Sequence, residues 1–190
     1  MKKGIYTLIL VVFAWLQGSY TAQDMEIDDS FVFELGLPNG FVNAPFKNIM
    51  QGVVYVSPMY QYTLRSGLMF GAGVHYSYFN INQFRINQKI SGGMHNGAAF
   101  IKLGHEKFWT PSLATDIGVK AGFAQTAFVT DTLKSMGITY NSKQSVYIEP
   151  NIGICLAADV NASFRLTIGY AFYGFGYKPW DIGINSDLGY

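Results

Sequence analysis

Apolar and polar residues alternate along most of this chain, most clearly from Leu68 to Phe79. Leu68, Phe70, Ala72, Val74, Tyr76 and Tyr78 fall on one parity, and Met69, Gly71, Gly73, His75, Ser77 and Phe79 on the other. Successive side chains of a strand point to opposite faces, so this stretch predicts a strand with one apolar face and one small or polar face. The pattern recurs along the chain. Phe31, Phe33, Leu35 and Leu37 alternate with Val32, Glu34 and Gly36, and Pro38-Asn39-Gly40 ends the run. A second strand sets Val54, Val56, Tyr60 and Tyr62 against Val53, Tyr55, Ser57, Met59 and Gln61. Pro58 within it lacks a ladder donor and predicts a bulge or weak pairing.

Four further segments repeat the theme. Ala99, Ile101 and Leu103 oppose Phe100, Lys102, Gly104 and Glu106. The next strand sends Leu113, Thr115, Ile117, Val119, Ala121 and Phe123 outward over Ala114, Asp116, Gly118, Lys120, Gly122 and Ala124. A sixth has Val146, Ile148, Pro150, Ile152, Ile154 and Leu156 against Tyr147, Glu149, Asn151, Gly153 and Cys155. The seventh places Phe164, Leu166, Ile168, Tyr170 and Phe172 over Arg165, Thr167, Gly169, Ala171 and Tyr173. A weaker eighth strand alternates Ile182, Ile184, Leu188 and Tyr190 with Asp181, Gly183, Asn185, Asp187 and Gly189, with Ser186 out of step.

The connections alternate long and short. Phe41 to Gln51, Asn80 to Asn96 and Thr130 to Gln144 are long; Arg65-Ser66-Gly67, Lys107 to Ser112 and Asp159 to Ala162 are short. Short turns at one end and long loops at the other suit an up-and-down membrane barrel. The charges fall on the glycine-bearing parity, the inverse of a water-soluble barrel with an apolar inside. The expected fold is therefore all-β, an eight-stranded antiparallel up-and-down transmembrane β-barrel.

Composition agrees with hydrophobicity spread over strands. Charged residues make up 13% of the chain and aromatic residues 16%, with 21 glycines, against a typical charged share of ~25%. The start, Met1-Lys2-Lys3 with an apolar run from Ile5 to Leu16 and Ala22 at the expected cut, describes a secretory signal peptide over residues 1–22. That run falls short of the ~20 residues a spanning helix needs. Residues 23–190 are then the barrel domain, with 11 basic and 12 acidic residues and a formal charge of −1. Near-neutrality argues against nucleic acid as a partner. Cys155 is the single cysteine, which excludes an internal disulfide framework.

Glycine-rich alternation such as Gly67-Leu68-Met69-Phe70-Gly71-Ala72-Gly73-Val74 resembles the small outer-membrane β-barrels of OmpX and OmpA-transmembrane type, a porin-family group. So does the terminal Tyr190 with Leu188, Ile184 and Ile182 at alternate positions. The resemblance covers about Ser30 to Tyr190 and rests on pattern rather than a sharp motif. It implies residence in the outer membrane, contact with its lipid, and insertion by the barrel-assembly machinery. The interior rich in Asp and Asn near the end departs from the family pattern.

The inward-assigned ionisable residues are Glu34, His75, Lys102, Glu106, Asp116, Lys120, Glu149 and Arg165, with Asp181 and Asp187 beyond them. Buried charges must be paired, so they are expected to form a polar network filling the lumen. Tyr62, Trp109, Phe164 and Tyr190 near one end, and Tyr76, Tyr78, Phe128, Tyr170 and Phe172 near the other, are candidate interfacial girdles. His75 and Ser77, two apart on the inner face, resemble the His and Ser of outer-membrane lipid A deacylases, with Glu34, Glu106 or Asp116 as candidate orienting groups. That family's pair faces lipid, and parity puts these residues inside, so a hydrogen-bonded lumen histidine is the preferred reading. His75, His95 and His105 lack zinc-ligand spacing, and no metal or other cofactor is expected. Phe84, Ile86, Ile90 and Met94 either meet a partner or fold over the barrel mouth. The expected function is a structural or interaction role, as an accessory subunit contacting an outer-membrane complex through its long loops. A narrow channel for ions or small solutes is the alternative, and a lipid-modifying enzyme the third reading.

Overall fold

The computed structural model describes residues 28–40, 43–86, 90–159 and 162–183. They form a strongly curled antiparallel sheet with few helices. The strands are β1 (Asp28–Gly36), β2 (Met50–Thr63), β3 (Leu68–Ile81), β4 (Gly92–Thr110), β5 (Leu113–Thr130), β6 (Asn141–Asp159), β7 (Ala162–Gly169) and β8 (Phe172–Tyr173). β1 to β7 pair in chain order, and β8 pairs with β6. All these pairings are antiparallel, so each strand from β1 to β7 lies beside its neighbour in sequence. Among the described residues no pairing joins β1 to β7, and over those residues the sheet is a half-barrel with β1 and β7 at its margins.

The alternating pattern positions its residues largely as expected. Phe70, Ile117 and Ile168 are 42%, 39% and 72% exposed on the outer face, while Lys120 and Asp116 inside are 0% and 1% exposed. Val53 is an exception. The alternation puts it on the face of Ser57, Met59 and Gln61, which are buried, but it is 47% exposed, because the register of β2 against β3 shifts between Gly52 and Val54. A bulge adds one residue to one strand and flips the parity before it. At Pro58 there is no register shift. Ser57 and Pro58 have no ladder partners on β3, and Pro58 sits opposite Phe33 on β1.

The seventh strand is not continuous to Tyr173. It breaks after Gly169 and resumes at Phe172 in the same register on β6. Tyr170 N–H donates to Pro150 O at 3.0 Å, but Pro150 has no N–H to return. A proline inside a ladder removes one bond, and the pairing lapses there.

The predicted loops are shorter than the sequence suggests. β3 continues to Ile81 and β4 begins at Gly92, while β4 and β5 are joined only by Pro111 and Ser112. Two small helices occupy the other long connections, α1 (Ala44–Ile49) and α2 (Asp131–Ser135). Each has a side-chain cap. Phe46 N–H donates to Asn43 Oδ1 at 3.0 Å, and Leu133 N–H to Thr130 Oγ1 at 3.2 Å.

The expected eighth strand is corrected over its first residues. Pro179–Ile182 form a 3₁₀ turn that ends at Gly183, whose φ of +83° is a left-handed conformation suited to glycine. Asp181, expected to line the lumen in a strand, instead accepts from Lys178 N–H at 2.9 Å and pairs with Lys143 at 2.7 Å. Ile182, expected outward, is fully buried. Residues 184–190, including Asp187 and Tyr190, lie outside the described residues, as do residues 1–22 of the expected signal peptide.

Ile182 belongs to an apolar cluster with Ile49, Met50, Phe79, Ile81, Ile90, Met94, Phe128, Leu133 and Tyr177. These residues come from the loop ends of β2 to β5, from both helices and from the segment after β8, so they stopper the loop end of the half-barrel. Phe128, expected in a girdle, is fully buried in this stopper. Ile90 and Met94 fold over the mouth and Ile86 packs against them, while Phe84 points entirely outward.

Candidate functional site

β4 and β5 set two like-charged pairs directly opposite each other on the inner face, Lys102 with Lys120 and Glu106 with Asp116. Facing like charges repel unless opposite charges come between them. Here those charges come from β1, β6 and β7. Arg165 on β7 places Nη2 3.0 Å from Glu106 Oε1 and Nε 3.1 Å from Asp116 Oδ2. Lys102 Nζ stands 4.0 Å from Asp116 Oδ2. Among the described residues Asp116 is held by charge, since neither of its oxygens has a well-directed hydrogen bond. Arg165 Nη1 also donates to Gln61 Oε1 on β2 at 3.1 Å, which ties one margin across the interior.

A second knot lies around Lys120. Its Nζ donates to Glu34 Oε2 at 2.6 Å, Glu149 Oε1 at 3.0 Å and Tyr55 Oη at 3.1 Å. Tyr55 donates to Glu34 Oε2 at 3.2 Å, and Tyr147 donates to Glu149 Oε2. The Phe100 ring lies 5.2 Å from the ammonium, within cation–π range. Glu34 brings the other margin, β1, into this knot. The interior ion pairs therefore fasten both edges of the sheet, which no backbone bonds join among the described residues.

Small residues make room for the ions. A Cβ on Gly153 would sit 2.6 Å from Asp116 Oδ1, and one on Gly169 2.8 Å from Glu149 Oε1. The glycines on the inner parity are therefore spaces for neighbouring charged side chains as well as points of curvature.

His75 is 2% exposed and lies among Tyr55, Tyr147 and Tyr173, with ring centroids 5.5, 4.7 and 6.4 Å away. Its Nε2 is 3.4 Å from Asn96 Nδ2 and 3.3 Å from Tyr173 Oη. Asn96 also donates to Ser77 Oγ at 3.5 Å and accepts from Thr126 Oγ1 at 2.9 Å. His75 and Ser77 thus meet through Asn96. None of Glu34, Glu106 and Asp116 hydrogen-bonds His75 among the described residues, so the orienting group of a nucleophilic triad is not assembled. Among the described residues no group of three or more His, Cys, Asp or Glu is placed to hold a metal ion.

The eight ionisable residues singled out from sequence all lie on the inner face. Glu34, Lys120 and Glu149 form one knot and Lys102, Glu106, Asp116 and Arg165 the other, while His75 sits in the aromatic layer beside the first. Sequence reasoning missed the neutral members, Tyr55, Gln61, Tyr147 and Tyr173, although their parity already pointed inward. Asn96, at the end of the long connection that the sequence predicts, is part of β4. No family model, curated protein or solved structure matches this chain.

Proposed function

We propose that the chain is an outer-membrane β-barrel protein whose lumen is plugged and whose role is structural, as an interaction partner within a larger outer-membrane assembly. One observation carries this reading: the outer face is apolar over the middle of the strands, from Phe31 and Phe33 on β1 to Leu166 and Ile168 on β7, while the inner face holds the ion pairs. A water-soluble sheet puts those faces the other way round. Lipid solvates the apolar face without cost, and pairing stabilises the charges where water is excluded.

The knots around Lys120 and Arg165, together with the apolar stopper at the loop end, favour a plug over a conduit. The connection between β3 and β4, where Phe84 is fully exposed on the 3₁₀ turn Gln83–Arg85, is the contact proposed for a partner at that end, because loops on a rigid sheet carry binding function. The test is reconstitution of the full chain into liposomes and planar bilayers. Co-flotation with lipid and an absence of steady current are expected. A protein that stays in the aqueous fraction without detergent overturns the membrane reading, and steady conductance overturns the plug. Detergent pull-down with Phe84→Ala as the comparison tests the contact, which should be lost in the variant while the fold is retained.

A further inference from the structure

On the outer face of β3 to β6 the side chains fall into rows across the sheet, and the chemistry changes from one row to the next. Val74, Ala99, Phe123 and Val146 stand side by side as an apolar row. One step nearer the loop end come Tyr76, Gly97, Gln125 and Gln144, and beyond them Tyr78 stands beside His95. Gly97 and Ala99 floor a groove of about 590 Å³, walled by Val74 on one side and by Phe123, Gln125 and Gln144 on the other. That volume is usual for a ligand site. Crowding within the sheet does not require Gly97: a Cβ there would meet only His75 O, at 3.9 Å, unlike those on Gly153 and Gly169. A glycine inside a strand can mark a place where a ligand approaches the backbone closely. Tyr76 is drawn toward His95, with its Oη 2.8 Å from Nδ1, and leaves the groove open. The His95 and Tyr78 ring centroids are 4.9 Å apart.

We propose that this groove binds an acylated amino-sugar lipid, with one acyl chain over Ala99 and the sugar toward His95. The order of chemistry along the groove matches the order within such a molecule. The apolar row solvates the chain. The Gln125 and Gln144 amides donate to the ester or amide carbonyl that joins chain to sugar, and the Tyr76 hydroxyl and the His95 ring meet the sugar hydroxyls. None of the residues in these rows carries a fixed charge, so carbonyls and hydroxyls are recognised here rather than phosphate. The groove also straddles the right level. Leu113 to Phe123 on β5, once tilted, spans about 25 Å of thickness, the height of an outward apolar band, and the amide row begins just above it. This inference rests on the membrane reading, which liposome flotation tests separately.

The test is native mass spectrometry of the full chain released from detergent micelles. The probe is glucosamine 1-phosphate carrying one ester-linked and one amide-linked acyl chain, compared with phosphatidylglycerol of the same chain length. The chain should retain a single probe molecule about three- to tenfold more tightly than phosphatidylglycerol, the worth of one or two hydrogen bonds. Gly97→Leu fills the groove and should weaken retention about tenfold, as for the loss of roughly two buried methylenes. Val119→Leu, lower on the same face, should leave retention unchanged. Gln125→Leu should erase the preference for the sugar lipid, with unchanged far-UV circular dichroism reporting an intact sheet. Equal retention of the two lipids, equal effects of Gly97→Leu and Val119→Leu, or a dimer that takes up no probe overturns the proposal. With flotation retained, any of these results removes the site and leaves the membrane reading standing.

Discussion

Lys102 and Lys120 stand directly opposite each other on adjacent strands, both almost completely buried. Their coexistence depends on carboxylates arriving from elsewhere in the sheet. Asp116 lies beside Lys102, and Glu34 and Glu149 hold Lys120. The interior is therefore cooperative, since removing one ion leaves others buried without a counter-charge.

Lys120→Met strips the ammonium from Glu34 and Glu149 and should destabilise the fold by about 3–5 kcal/mol, the usual cost of breaking a buried pair from one side. Urea unfolding in detergent, followed by tryptophan fluorescence, measures it. A loss below about 1 kcal/mol, the range of exposed pairs, would mean that water reaches the knot.

Gly153→Ala places a methyl group 2.6 Å from Asp116 Oδ1. A loss of about 1–3 kcal/mol is expected from overpacking. Gly176→Ala, which meets nothing within 4 Å, should stay within about 0.5 kcal/mol. Equal effects would show that the inner glycines are not spaces kept for charge.

Ile117→Lys puts an ammonium on the outer face of β5. Against hydrocarbon this costs about 2–4 kcal/mol near mid-depth, and against water almost nothing. Folding equilibria in liposomes distinguish the two, and an unchanged equilibrium argues that lipid does not cover this face.

Ile182→Ala opens a cavity in the stopper and should lose about 2–5 kcal/mol. Limited proteolysis should then cut first between Gly174 and Gly183, while the strands remain resistant. Cleavage in β3 or β4 at the same rate would show that the stopper and the wall unfold together.

The strands were legible because a period of two is a strong signal over six or more residues, and Leu113 to Ala124 needed nothing more. The ionic interior was legible for the same reason, since parity alone gathers Glu34, Lys120 and Glu149. What escaped depended on single events that shift or stop the period. Val53 faces outward because one extra residue at Gly52 resets the phase. The break at Tyr170 arises on the neighbouring strand, where Pro150 lacks a donor, so no inspection of residues 164–173 alone could reveal it. Ile182 fits an alternating strand as well as a stopper, and the choice is made by tertiary partners such as Lys143 and Thr130. The pairing of Arg165 with Glu106 and of Lys120 with Glu34 joins residues far apart in sequence and could not be assigned before the sheet was curled.

Sequential pairing of β1 to β7 has a consequence for how the molecule is built. Each hairpin can zip onto the last as the polypeptide is delivered, with little waiting for distant partners. The segment around Tyr177 and Ile182 is different, because its seat is made by pieces of four earlier strands and both helices. It can only latch once they are in place, which makes it the final tumbler in the lock and a natural checkpoint on whether assembly has succeeded.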